Sequence, residues 1–305
     1  MVLPKNITDL TDSIENAVDS YSSSLTSIQK NIYKKVLSLL KDLSTDTEGN
    51  IKTTIENYKI IARVKNIIKK ELNSDAYLNH VSKINDHYID IKTIQDSYFA
   101  NMFVDFTTPT VLAEFQKQAI NDTVESLTES GINEILVNKV TDIVGENIKS
   151  GRNFTDMTGE LENFIIGTDE VDGKLVSYSK QIVNDALSQY AGNYNQLITD
   201  DLDLEWFGYV GGLVRDSRPL CTELIHNKKY IHKSELKKIS QGIINGQTKD
   251  ENDKSYKNGM IPGTDENNFM INRGGFNCGH QLIPISNEFV PKNIRDNFEE
   301  TNNEE

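Results

Sequence analysis

The stretch RGGFNCGHQLIPI, Arg273 to Ile285, places a glycine pair, a Cys-Gly-His triplet and a short apolar run next to one another. The run LIPIS reads as a short strand. Gly274 and Gly275 permit a tight turn ahead of it. No Lys-Ser pair and no long helix follow them, so the glycines do not make a phosphate-binding loop. Cys278 is one of only two cysteines, and three of the five histidines (His226, His232 and His280) lie after residue 200. The other cysteine, Cys221, stands upstream in GLVRDSRPLCTEL. These residue types suit three things: a metal site, a catalytic site, or the brace of a small fold.

Moving outward from this stretch, the chain after residue 200 is short-period and loop-rich. LEWFGYVG reads as an aromatic strand, HNKKYIHKSEL as a turn and a short strand, SELKKISQGIING as a short helix, and Gly246–Gly263 as a polar loop. Before residue 200 the pattern is helical. Ile14, Val18, Tyr21, Leu25, Ile28, Ile32, Val36 and Leu39 recur at spacings of three and four, an apolar stripe on a long helix. Further helices are expected over 51–72, 77–106, 133–148, 155–167 and 176–197. Another is expected to start at Thr108, as its cap, and Pro109, in its first turn. The expected fold is a mainly α N-terminal region of long helices, bundle-like or coiled-coil-like, followed by a small α+β module. The boundaries are an elongated helical domain over 1–199, the module over 200–291, and an acidic tail over 292–305 that frays.

Length and composition bound the rest. A chain of 305 residues with 37% hydrophobic residues can bury a substantial core. A net charge of −14 makes free association with nucleic acid unexpected, although a local basic face is compatible with it. Lys228, Lys229, Lys233, Lys237 and Lys238 concentrate positive charge, and are read as a solvated face or as a contact for DNA or an acidic partner. The first residues lack the apolar segment of a secretory leader, and no 18-residue apolar run marks a membrane span, so synthesis in cytosol is expected.

The order of helical region, LEWFGYVGGLVRDSRPLC, intervening loop and NRGGFNCGHQLIPI resembles the minor head protein family of tailed bacteriophages, the Mu-type head morphogenesis or MuF-like family. The resemblance rests on Asp216, Arg218 and Cys221 in the first element, and on Asn277, Cys278 and His280 in the second. Gly279 stands where the family usually carries arginine. It implies that these six residues form the core of a structural module. It also implies a virion component made in the host cytoplasm and associated with the portal protein or the major capsid protein. Contact with packaged DNA, self-association through the helices, and no enzymatic activity are implied as well.

The residues themselves leave alternatives. Cys221 and Cys278 are read as buried small hydrophobes, with His280 bonded to nearby backbone. Zinc held by Cys221, Cys278, His280 and either His226 or His232 is a second reading, against which the one-residue gap in Cys278-Gly-His280 counts. A disulfide is a third, disfavoured by cytosolic assembly. Arg218 is expected to bridge Asp216 or to brace the chain near Asn277. Phe276 and Trp206 are assigned to the core. The rival function is a nucleic-acid-processing enzyme or other hydrolase at the Cys221/Cys278/His280 centre, for which no third orienting group and no carboxylate cluster stands out.

Overall fold

The computed structural model describes residues 5–128 and 131–302. Eight helices come first: α1 (Lys5–Leu40), α2 (Ile55–Leu72), α3 (Asp75–Ser82), α4 (Ile84–Met102), α5 (Val111–Thr128), α6 (Ile132–Ser150), α7 (Phe154–Ile165) and α8 (Lys174–Asp201). A mixed segment follows: β1 (Trp206–Val210), α9 (Pro219–Asn227), β2 (Tyr230–His232), α10 (Leu236–Ser240), α11 (Phe269–Asn272), β3 (Gln281–Ile285) and α12 (Lys292–Asn302). The chain is therefore mainly helical and ends in a small α+β module, as its periodicities dictate. No described helix is long and apolar enough to cross a membrane.

By internal contacts the described residues group into two units. One comprises the residues up to Asn16, His87–Ala119 and those from Asn184 onward; the other comprises those of Ala17–Asp86 and Ile120–Val183. In the second unit α2 packs on α6, and α6 on α7. Ile60, Val64, Ile68 and Leu72 bury one stripe of α2, and Leu136, Val140, Ile143 and Val144 one stripe of α6. Thr54 caps α2 by accepting from the Asn57 N–H at 3.2 Å, and Gly151, at φ 65°, ends α6 in the left-handed region. The single helix expected over 77–106 is two helices, because the Lys83 N–H turns to the His80 carbonyl at 3.2 Å, a tighter three-residue bond.

In the first unit the three strands form an antiparallel sheet in the order β2-β1-β3. Tyr209 faces Leu282 and Phe207 faces Pro284 across β1 and β3. These rings join Leu220, Leu224 and Phe269 in a core that also contains both cysteines. β3 is an edge strand, and an exposed edge is a template for unwanted pairing. Here Tyr98 Oη on α4 donates to the Pro284 carbonyl at 2.7 Å, and Asn195 Nδ2 on α8 donates to the Leu282 carbonyl at 3.2 Å. Tyr98→Phe leaves the Pro284 carbonyl buried without that donor and is expected to destabilise this unit by about 1–3 kcal/mol. Urea denaturation of the two proteins measures it, and an unchanged midpoint would contradict the bond's role.

Two sequence expectations change here. Thr108 does not cap a helix: its Oγ1 donates to Asp96 Oδ1 at 2.7 Å, and α5 begins at Val111. Asp96 also accepts from Lys92 and from the Tyr194 hydroxyl. The tail expected to fray over 292–305 is helical as far as Asn302, and residues 303–305 lie outside the described residues. The Phe298 ring of that helix lies 5.2 Å from Trp206 and 4.2 Å from His232, an apolar anchor that the acidic composition hides.

Candidate metal centre

Local chain geometry brings Cys221 and the Cys278-Gly279-His280 triplet together. Arg218 is extended (φ −66°, ψ 149°) and Pro219 opens α9, so Leu220, Cys221 and Leu224 turn inward. The second segment is a turn with Arg273, Gly275 and Asn277 all at positive φ, after which His280 leads into β3. Gly274 passes so close to the sulfurs that a Cβ there would lie 2.5 Å from Cys221 Sγ and 3.0 Å from Cys278 Sγ. On the far side a Cβ at Gly211 would lie 2.8 Å from His280 Cδ2.

The result is a buried cluster. Cys221 Sγ lies 3.9 Å from Cys278 Sγ, and Cys278 Sγ lies 3.6 Å from His280 Nδ1. The three donor atoms are all within 4.8 Å of one another. The three residues are 2%, 2% and 4% exposed. Tyr209 Oη donates to Cys221 Sγ at 3.4 Å, and its ring stacks on His280 at 5.3 Å between centroids, which fixes the plane of the imidazole. Both cysteines are free thiols, and 3.9 Å excludes a bond between them.

Charge is distributed unequally over the pair. The hydrogen bond with Cys221 holds Cys278 well below the usual thiol range against the opposing effect of burial, helped by His280 and the charge of Arg273. That same bond, with burial, pushes the Cys221 thiol up. The two thiols thus titrate as a pair, in which ionising one disfavours ionising the other. Tyr209 is pushed up chiefly by burial and stays a neutral donor.

The expectation that these segments form a fixture without reactive capacity is corrected by this cluster. Two sulfurs and an imidazole, buried and mutually close, are positioned to coordinate a metal ion, which gives the module a cofactor-binding capacity. The one-residue gap does not prevent it, because the turn through Asn277 (φ 54°) and Gly279 folds the imidazole back toward the sulfur.

The other assigned residues fall as follows. Asp216 is exposed and makes no ion pair with Arg218 among the described residues; Arg218 instead donates to the Phe276 carbonyl at 2.5 Å, the brace near Asn277. His226 is exposed on α9, five residues beyond Cys221, and His232 packs against Trp206, so neither joins the cluster. Lys228 pairs with Glu235 at 2.6 Å and Lys233 with Asp200 at 3.6 Å, while Lys229, Lys237 and Lys238 are exposed. Phe276, assigned to the core, is 49% exposed.

One residue of the site escaped sequence reading. The half-buried Asp185 carboxylate on α8 accepts the Asn277 N–H and so pins the turn that carries Cys278. Burial raises its pKa; the Asn277 bond and the charges of Arg273 and Arg218 oppose that rise without cancelling it. No protein-family model matches the chain, and no match is found among curated proteins or solved structures.

Proposed function

We propose that the C-terminal module is a zinc-dependent hydrolytic centre with Cys221, Cys278 and His280 as the metal ligands. A tetrahedral zinc with bonds of about 2.3 Å to sulfur and about 2.0–2.1 Å to nitrogen requires donor separations of roughly 3.8 Å and 3.6 Å. The separations of 3.9 Å and 3.6 Å support this fit and carry the proposal. Three protein ligands leave one coordination position, the pattern of catalytic rather than closed structural sites. When bound there, zinc supplies Lewis acidity and brings the pKa of a coordinated water to about 7.

The chain's own residues do the rest. Cys221 and Cys278 offer the two sulfurs and release thiol protons on metal uptake. Tyr209 orients both the Cys221 sulfur and the His280 ring. Asp185 accepts the Asn277 N–H and so holds the turn that carries Cys278. The test is hydrolysis of a chromogenic phosphodiester and a chromogenic carboxylic ester by the purified full chain, before and after phenanthroline. Zinc-restorable loss of about 100-fold is expected. Absence of zinc, or a rate that the chelator leaves unchanged, rejects the proposal.

A second reading places the chain in a tailed-phage particle as a minor head protein near the portal or major capsid protein, in contact with packaged DNA. Its support is that the two motif-bearing segments of the resemblance meet, with Cys221 and Cys278 3.9 Å apart. Such a location is compatible with a hydrolytic centre. Mass spectrometry of purified particles decides it: the chain is expected in the particle, and its presence only in the unassembled fraction rejects a virion role.

A further inference from the structure

Charge is unevenly placed along the first two helices. Residues 30–70 hold ten Lys and Arg against four Asp and Glu, a net +6 within a chain of net −14. On α1, Lys30 and Lys34 stand four residues apart, and Lys41 follows seven later. The Lys41 N–H still bonds to the Leu37 carbonyl at 3.3 Å, so it keeps the helical phase and the three lysines share one face. On α2, Lys59, Arg63 and Lys70 have the same spacing. All six are exposed. The two faces adjoin. Glu71 of α2 accepts from Asn31 at 2.7 Å and from Lys35 at 2.5 Å, both on α1, and Arg63 donates to Asp42 at 3.1 Å.

The fold does not require this arrangement. Lys30–Lys34 and Lys59–Arg63 are like charges at i,i+4, which disfavour a helix. Elsewhere the chain uses the same spacing for opposite charges, as in Lys92–Asp96 and Lys249–Asp253. Lys59 pairs with Glu56 and Arg63 with Asp42, but Lys30, Lys34, Lys41 and Lys70 make no ion pair among the described residues. The lysines of the C-terminal module are less available, since Lys228 and Lys233 are already paired with Glu235 and Asp200. The surface is also polar. Among the described residues, α1 exposes no large apolar side chain and α2 exposes only Ile55 and Tyr58, in its first turn. A face that enters a lipid surface needs a broad apolar stripe beside its cations, which these helices do not offer to solvent.

We propose that this α1/α2 face binds the phosphate backbone of nucleic acid. Its six cations suit a ligand whose charges recur at short regular intervals, about every 1.7 Å along a duplex axis. Lys30 to Lys41 alone spans roughly 16 Å of helix, enough for several phosphates. Ser38, between Lys34 and Lys41, and Asn66, between Arg63 and Lys70, are exposed and add donors for phosphate oxygens. Contacts of this kind hold a backbone without reading its bases, so binding is independent of sequence. The remainder of the chain carries −20 once this +6 is set aside from −14, and it repels a polyanion. Association is therefore confined to this face. The face lies outside the metal-bearing module, and the inference depends on neither reading of that module.

Fluorescence anisotropy on the full chain tests it. The probes are a labelled DNA duplex of about 20 base pairs, one of its single strands, and a polyglutamate peptide of similar charge, in about 50 to 200 mM KCl. Neutralising about six phosphates gives a log–log salt slope near −5 on the duplex, an affinity loss of about 1,000-fold over that range. The triple variant Lys34→Gln/Lys41→Gln/Lys70→Gln breaks no ion pair. It is expected to reduce the slope by about three and to weaken binding by more than about 100-fold at the lower salt. Lys237→Gln/Lys238→Gln, exposed in the C-terminal module, is the matched control and should leave affinity and slope as in wild type. Urea midpoints of the two variants verify that both fold. No binding of either DNA form at the lower salt, an affinity indifferent to salt, or a triple variant that binds as tightly as the control overturns the face. Polyglutamate bound more tightly than either DNA overturns its assignment to nucleic acid in favour of an acidic protein.

Discussion

Cys278→Ser is expected to abolish stoichiometric zinc uptake, from about one ion per chain to none retained on dialysis, with affinity falling by more than about 100-fold. Cys278 is the donor that neighbours both Cys221, at 3.9 Å, and His280, at 3.6 Å. A serine hydroxyl is neutral at the same place and binds zinc poorly, so two donors remain, Cys221 and His280. The pH dependence has a definite sign. Because cysteine ligands bind as thiolates and thiol protons must leave when metal enters, wild-type affinity rises with pH and falls as pH is lowered, by about tenfold per unit where one proton is displaced. Competition against a chromophoric chelator across roughly pH 6 to 8, with elemental analysis of the dialysed protein, measures both effects. Full zinc content in Cys278→Ser would remove this residue from the ligand set.

Gly274→Ala is the second large effect. Its Cβ would stand 2.5 Å from Cys221 Sγ, 3.0 Å from Cys278 Sγ and 3.6 Å from Tyr209 Oη. All three partners are buried, so the methyl group cannot be accommodated by a side chain swinging into solvent. Overpacking of this kind destabilises by about 1–3 kcal/mol. It also pushes the sulfurs off the positions that a metal requires, so zinc affinity is expected to fall together with stability. Gly212→Ala is the matched control, since a Cβ at Gly212 meets nothing within 4 Å, and its stability should stay within about 0.5 kcal/mol of wild type. Urea unfolding and zinc titration on both variants separate the outcomes. A Gly274→Ala protein with unchanged stability and zinc affinity would contradict the packing described around the sulfurs.

Helices and strands long enough to show a period were legible in the sequence. The α1 stripe at Ile14, Tyr21, Leu25, Ile32, Val36 and Leu39 is buried as its spacing implies, although Val18 and Ile28 are only partly covered and the polar Gln29 is buried instead. Gln29 compensates by donating to the Ile166 carbonyl and accepting from the Val176 N–H, contacts that no periodicity reveals. α9 is too short for a clear period; its one signal was Pro219 in the first turn. The meeting of Cys221 with Cys278 and His280 was an expectation of the motif order, but the separations that suit a metal are properties of the turn and of Gly274. Asp185 was hidden because it stands 92 residues from Asn277 on a helix whose pattern explains its polarity without any site. Phe276 was misplaced for a related reason: hydrophobicity predicts burial on average and says nothing of a ring beside a functional turn.

The β3 edge bonds are made from Tyr98, 186 residues away in sequence, and from Asn195, 87 residues away. During synthesis the last strand leaves the ribosome long after these donors have been made, so closure of the sheet waits on the end of the chain. A fragment cut at residue 200 would lose both donors and leave the β3 carbonyls bare, inviting aggregation. Any recombinant version of the metal-bearing portion therefore needs residues 87–119 and 184–199 supplied with it, most simply by expressing the whole chain.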